Sequence, residues 1–491
     1  MKYIRLSPVV LMIFAAVSVA QDSPEAGSKS IPLSKVERKN KAPVSKDVLR
    51  VKLPKAAEFK LSNGLTVLLL EDHRAPLVTA RLIIQGAGAL DDPTDLPGLA
   101  NVTAAMLKEG TRTRSSKQIA EDIERLGATI NINAPWGTED ANFTASGLSD
   151  NLDQWLPLVS DILLNPTFPQ SELDKLKQRM KVQLRQQRSS PFFLLQERFD
   201  RAVYGNHPAA ITAPTPLSLD KLTPEMLAKW HAERYVPQNA LLGVAGDVGL
   251  ERLKQLLHSL PEWNAGASKP AVTAATKPVS GRRIFVVDRS GSVQTDVAIG
   301  NIAVDRLDPD YVAMVVMDRI VGGGASARLF MNLREVHGYT YGAYSHLIAR
   351  HYAGPWTAQA SMRTDATGGA MTEFMNEINR IRDQLVTSSE LEENKRAIVA
   401  GFALSLERPD QLLDYAMQLK VYALPPDYWD TYPAKIMAVT AEQVQRVARK
   451  YILPDNLQIV AVGDAAKIKP VLDKFGPVEV YDTNGNLKVT P

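Results

Sequence analysis

The 491-residue sequence predicts an α+β fold: two homologous domains, each mixing sheet strands with helices, joined by a linker. Three observations predict it. First, a segment recurs. "LTPEMLAKWHAERYVPQNALLGVAGD" ends at Asp247 and "VTAEQVQRVARKYILPDNLQIVAVGD" at Asp464, with Thr223 and Thr440, Pro237 and Pro454, Asn239 and Asn456, and Gly246 and Gly463 all 217 residues apart. A helix, a Pro-x-Asn turn, a buried strand and a Gly-Asp turn thus repeat in one order. Second, Asn264 to Arg283, "NAGASKPAVTAATKPVSGRR", has no periodicity and is rich in Ala, Lys, Pro and Ser, the composition of a linker. Third, the chain is too long for one ordinary core.

The elements follow in order. Residues 1–20 have a basic start at Lys2 and Arg5, an apolar run from Val9 to Val19, and a small-x-small site at Ser18-Val19-Ala20. That pattern predicts a secretory signal peptide cut before Gln21, too short to span a bilayer, and hence an exported, soluble, periplasmic or secreted protein. Losing Lys2 and Arg5 takes the formal charge from +3 to +1. Residues 21–50 are polar and predict a loose arm. The first domain, 51–263, opens with a hairpin around Ser62-Asn63-Gly64 and a strand at Leu77–Gln85. Helical patterns cover Gly98–Glu109 and Ser116–Leu126, and strands fit Thr129–Ala134 and Asn142–Leu148. Long helices fit Asn151–Leu164 and Ser171–Arg188, the latter with Ser171 and Asp174 as a capping pair. The linker spans 264–283 and the second domain 284–491.

Composition excludes several functions. The chain is 45% hydrophobic and 23% charged, with its cations dispersed, so it has no electrostatic case for nucleic acid. No later run predicts a membrane span. The absence of Cys excludes thiolate catalysis, disulfides, Cys-ligated metals and a bacterial lipid anchor. The basic runs "TRTRSSK" and "KLKQRMKVQLRQQR" read as solvated surface, with a partner or acidic peptide as the alternative.

The stretch "GLANVTAAMLKEGT" poses a question. Leu99, Val102, Met106 and Leu107 form an apolar set, while Asn101, Thr103, Ala104 and Ala105 interrupt it without offering reactive groups. The surroundings carry a resemblance. The hairpin "LSNGLTV", the approach "GAGALDDPTDLPGLA", the exit "LKEGT", the linker and "GGGASARLFMNLREVHGYTYG" together resemble the insulinase/pitrilysin superfamily of zinc peptidases, in its mitochondrial-processing-peptidase-like branch. The resemblance runs from about Phe59 to about Lys474. It implies metallopeptidase half-domains, with an inverted His-x-x-Glu-His motif on this helix. Two His at i and i+4 share a helical face and grip one zinc, and the Glu activates its water. Here those positions fall on Asn101, Ala104 and Ala105, and the downstream Glu ligand position falls on Gln183. The helix therefore resembles a zinc helix without its ligands, and no metal is expected on this chain. The seven His make no H-x-x-x-H pair; His346 and His351, five apart, suit no single helical face.

A second constellation survives. Arg334 and Tyr341 sit seven apart in "LREVHGYTYG". Spacing alone fits a solvated Arg and a packed Tyr. Within the matching segment, the resemblance implies a cation and a phenol that hold substrate or a developing oxyanion. Gly322-Gly323-Gly324 fits either a turn between helices or a loop beside bound peptide. The leading expectation is a non-catalytic subunit of a heterodimeric zinc metallopeptidase that degrades or processes unfolded peptides. It would be inactive alone and would lend Arg334 and Tyr341 to a zinc site in a homologous H-x-x-E-H subunit. The alternative is a structural or peptide-binding protein of the same fold with no catalytic role. An independent peptidase is the third and weakest reading.

Overall fold

The computed structural model describes residues 49–258, 263–264, 266 and 273–488, so the signal segment, most of the arm and part of the linker lie outside the described residues. The described residues of both halves fall in one compact body. In the first half the order is β1 (Ala57–Lys60), β2 (Thr66–Glu71), β3 (Leu77–Gln85), α1 (Leu99–Met106), α2 (Ser116–Arg125), β4 (Thr129–Asn133), β5 (Asp140–Leu148), α3 (Leu152–Leu164), α4 (Gln170–Gln187), α5 (Pro191–Tyr204), α6 (Pro216–Lys221), α7 (Pro224–Arg234), β6 (Ala240–Gly246) and α8 (Leu250–His258). The second half repeats it: β7 (Arg283–Asp288), β8 (Gln294–Ile302), α9 (Tyr311–Gly322), α10 (Arg328–Phe330) running into a π-helical turn (Met331–Val336), β9 (Thr340–Ala349), β10 (Ala353–Arg363), α11 (Thr367–Asp383), α12 (Ser388–Ser405), α13 (Pro409–Val421), α14 (Tyr428–Ala438), α15 (Ala441–Tyr451), β11 (Gln458–Gly463), α16 (Ala465–Leu472) and β12 (Val478–Tyr481).

Each half forms a six-stranded mixed sheet, ordered β1-β2-β6-β3-β5-β4 and β12-β7-β11-β8-β10-β9. The duplication therefore extends through the whole fold, with β2, β3 and β6 matched by β7, β8 and β11. Among the described strands it fails at one edge. There the hairpin strand β1 runs antiparallel to β2, whereas β12 arrives from the chain's other end and runs parallel to β7. Asn63 and Gly64 close the hairpin as expected: Asn63 Oδ1 accepts from the Leu65 amide at 3.1 Å, and Gly64 adopts a φ of +96°.

The two halves are locked by exchanged helices. β6 and β11 are buried along their whole length, which their unbroken apolar runs require. On one face Leu242 and Val244 of β6 join the first core, beneath α1 and α3; on the other, Leu241 and Ala245 meet Leu413 and Met417 of α13, from the second half. Reciprocally, Ile459 and Ala461 of β11 join the second core, while Val460 and Val462 meet Leu195 and Phe199 of α5, from the first half. Gly243 makes one of these contacts possible, because a Cβ there would lie 2.6 Å from the Met417 sulfur. Each buried aliphatic side chain contributes about 1.5–3 kcal/mol, so these helices couple the halves.

Two expectations are corrected. Ser171 and Asp174 form no capping pair: α4 starts one residue earlier behind Pro169, and Asp174 Oδ1 instead accepts from Gln170 Nε2 at 2.8 Å. The basic run on α4 is not wholly solvated, for Lys177 is buried and its ammonium donates to the carbonyl of Leu222. Among the described residues, no helix is long and apolar enough to cross a membrane.

Candidate functional site

The start of α1 is set by backbone chemistry. Gly98 adopts a φ of +106° with Pro214 pressed against it, so only glycine fits. Asp92 then accepts from the amides of Gly98 at 2.7 Å and Ala100 at 2.8 Å, satisfying donors that the helix leaves open. Burial pushes the Asp92 carboxyl up to about 7 against those bonds. Sequence reasoning quoted the "GALDDP" segment but missed this role.

Beyond the cap, α1 is a core helix. Leu99, Val102, Met106 and Leu107 are buried as their spacing predicts, and Ala104 is also fully buried, at 0% exposure. Ala105 is half-buried against the same core. Asn101 Nδ2 donates to the Ala134 carbonyl just beyond β4, leaving Oδ1 buried without a partner among the described residues. Gln183 is exposed on α4. These four residues do not fit a zinc ion. Two alanines have no donor atoms, the neutral amide of Asn101 is turned to the backbone, and amides are not usual zinc ligands. Among the described residues, no group of three His, Asp or Glu is placed to hold a metal.

The surroundings of Arg334 are anchored from beneath. Arg328 makes a two-pronged ion pair with Glu390 at 2.7 and 2.8 Å. Leu333 is buried, and Asn332 donates to Glu373 and Glu377 at 3.0 and 2.9 Å. This fixed π-helical turn carries Arg334 outward, half-exposed, its guanidinium 4.8 Å from the Phe330 ring centre and Nε 3.4 Å from Glu335. The glycine triplet ends α9 against β9: a Cβ on Gly322 would lie 2.2 Å from the Ser345 amide, and Arg319 donates to the Gly323 carbonyl. Close packing thus accounts for Gly322.

Tyr341 stands at the start of β9, an edge strand, and is 87% exposed. Pairing with β10 slips here: Ala343 faces Ala360, but Thr340 faces Met362. This bulge resets the two-residue alternation, so Tyr341 and Tyr344 both face outward although they are three residues apart. They line a groove of about 350 Å³ with Phe192, Asp296, Gln359 and Ser361. Phe330 links the two groups, its ring packing 5.7 Å from Tyr344 while Arg334 lies over it. Phe192 reaches this groove from the first half because α5 crosses to the second sheet. Sequence reasoning missed it; the sequence shows only a Phe192-Phe193 pair directly after Ser190-Pro191.

Residues 66–216 match the family model of the insulinases, peptidase family M16, and residues 221–398 match the model described as the peptidase M16 inactive domain. The chain belongs to the insulinase family. A Rickettsia bellii protein named as an uncharacterized zinc protease is 26% identical over 71% of this chain and 83% of its own. A Helicobacter pylori protein named as a non-peptidase homolog, YmxG, is 23% identical over 82% of this chain and 93% of its own. The crystal structure of a peptidase M16 inactive domain from Pseudomonas fluorescens superposes with a TM-score of 0.75 at 26% identity, covering 83% of this chain and 98% of that one. A protease from H. pylori shares the fold, with a TM-score of 0.76 at 20% identity over 84% of this chain and 100% of its own.

Proposed function

We propose that this chain is the non-catalytic subunit of a heterodimeric zinc metallopeptidase acting on unfolded peptides. A homologous subunit brings the H-x-x-E-H zinc site, and this chain lends Arg334 and Tyr341 to it. One observation carries the reading. Tyr341 is almost fully exposed and Arg334 half-exposed, on an anchored turn and strand, in a chain whose own zinc positions are Asn101, Ala104, Ala105 and Gln183. A large aromatic left in solvent beside a groove suits contact with another molecule.

In such a pair the zinc and its water belong to the partner. This chain's residues bind and stabilise charge. The Arg334 guanidinium holds a peptide carbonyl, and the Tyr341 hydroxyl donates to the carbonyl oxygen that gains negative charge as water adds to the peptide carbon. Phe192 and Tyr344 line the groove for an apolar side chain. The protein acts after export. The name of the H. pylori relative, a non-peptidase homolog, favours a second reading: a structural or peptide-binding protein with no catalytic role.

The test is reconstitution of peptide cleavage from this chain and an H-x-x-E-H homologue. The proposal expects neither chain alone to match the pair. A homologue equally active without this chain would leave the structural reading.

A further inference from the structure

A second cavity, of about 350 Å³, opens where the two halves meet and shares no residue with the Tyr341 groove. Asp140 of β5 enters its wall from the first half, and Arg306, Tyr311 and Tyr422 from the second. Arg306 is 6% exposed and forms no ion pair among the described residues. Aromatic rings box it in, with centres at 4.3 Å for Tyr311, 4.9 Å for Tyr428, 5.7 Å for Trp429 and 5.9 Å for Tyr422. Rings stabilise a guanidinium without neutralising it. One of its N–H groups donates to the Tyr428 hydroxyl at 2.8 Å; a guanidinium has five.

Asp140 is the opposite case. Its Oδ1 is buried with no hydrogen-bond partner, and no cation lies within ion-pairing distance of its carboxylate among the described residues. Its neighbour Glu139 is bonded to His351. The other carboxylate in the wall, Asp414, is held by Arg81. Burial and the nearby Glu139 push the Asp140 carboxyl up to about 7, outweighing the opposing charges of His351 and Arg350, neither of which pairs with it. Buried charges are ordinarily paired. Here a cation and a carboxylate, each without an ion pair among the described residues, share one cavity, whose remaining wall includes Ile83, Leu347, Met417 and Val421.

We infer that this cavity binds a small zwitterion, an aliphatic α-amino acid or dipeptide, with its carboxylate on Arg306, its ammonium on Asp140 and its side chain on the apolar wall. The volume lies in the range of small-molecule sites. The inference stands apart from the trans-catalytic reading, because binding needs neither a partner nor peptidase activity.

Calorimetric titration of the full chain with leucine, leucyl-leucine, N-acetylleucine and leucinamide tests it. Leucine or leucyl-leucine should bind, and which of them does assigns the ligand. Each blocked leucine loses one charge-assisted hydrogen bond and should bind at least about tenfold more weakly than the better zwitterion. Asp140→Asn should erase the preference for a free amine, and Arg306→Gln the preference for a free carboxylate. The ligand series on the unmodified chain stands even if Arg306→Gln misfolds. No binding at millimolar concentration would overturn the inference, leaving water as the bridge between the two charges. So would equal binding of all four compounds, or selectivity unchanged in a folded Asp140→Asn.

Discussion

We propose that α1 is a zinc helix turned to core, and Ala104→Glu tests it. This position has 0% exposure, between Val102 and Met106, which are also fully buried. The larger side chain overfills the core, at about 1–3 kcal/mol. Its carboxyl would have no cation and would be pushed two to three pH units above its usual range, at about 1.4 kcal/mol for each. The sum is about 4–7 kcal/mol, a large part of the roughly 5–15 kcal/mol that stabilises a domain. Guanidinium unfolding followed by circular dichroism gives the difference. Ala105→His, at a half-buried position, should cost less. If Ala104→Glu stayed within about 1 kcal/mol of the unsubstituted protein, this face of α1 would still be an open cleft. The account of a catalytic helix converted to core would then be wrong.

Four further outcomes follow from the structure. The purified chain should carry no stoichiometric zinc by elemental analysis; one zinc per chain would overturn the assignment of Asn101, Ala104, Ala105 and Gln183. Changing those four to His, Glu, His and Glu should not restore the activity of the pair, because missing groups that orient metal ligands typically cost 10–100-fold; a matching rate from the variant alone would contradict this. Leu413→Ala on α13 should lower stability by about 2–5 kcal/mol and loosen both halves together, read as one shifted unfolding transition; a separate melt of the first half would refute the coupling by exchanged helices. Burial holds the Asp200 carboxyl at about 7, above its ordinary 3.8. The folded state therefore favours the protonated form, and stability falls as pH rises from about 4 through 7. Asp200→Asn should flatten that fall in melting temperature; an unchanged slope would remove Asp200 as its cause.

Local pattern made part of this legible. β3 follows its alternation from Leu77 to Gln85, α3 and α4 follow their apolar stripes, and the 217-residue echo anticipated two sheets of one topology. The exchange of α5 and α13 was not legible. An amphipathic helix shows that it has an apolar face but not which sheet will cover it, and only the unbroken runs of β6 and β11 hinted at a second covering layer. Arg334 and Tyr341 could be singled out because their segment resembles a family. Phe192, Asp140 and Arg306 could not, since each becomes notable only through residues far away in the chain. Lys177 looked solvated because a cation on a helix usually is; the carbonyl that claims it lies beyond α6.

The central claim is that Arg334 and Tyr341 work on a zinc site in another chain. Steady-state cleavage of an unfolded peptide by the zinc-binding homologue, mixed with Arg334→Ala or Tyr341→Phe chain, tests it most directly, with dimer formation checked by sedimentation. Both side chains are exposed, so their loss should leave the fold, the dimer and the zinc content intact. The account predicts that kcat falls on the order of 10²-fold for each. Unchanged kcat and KM in both variants, with the dimer intact, would contradict it.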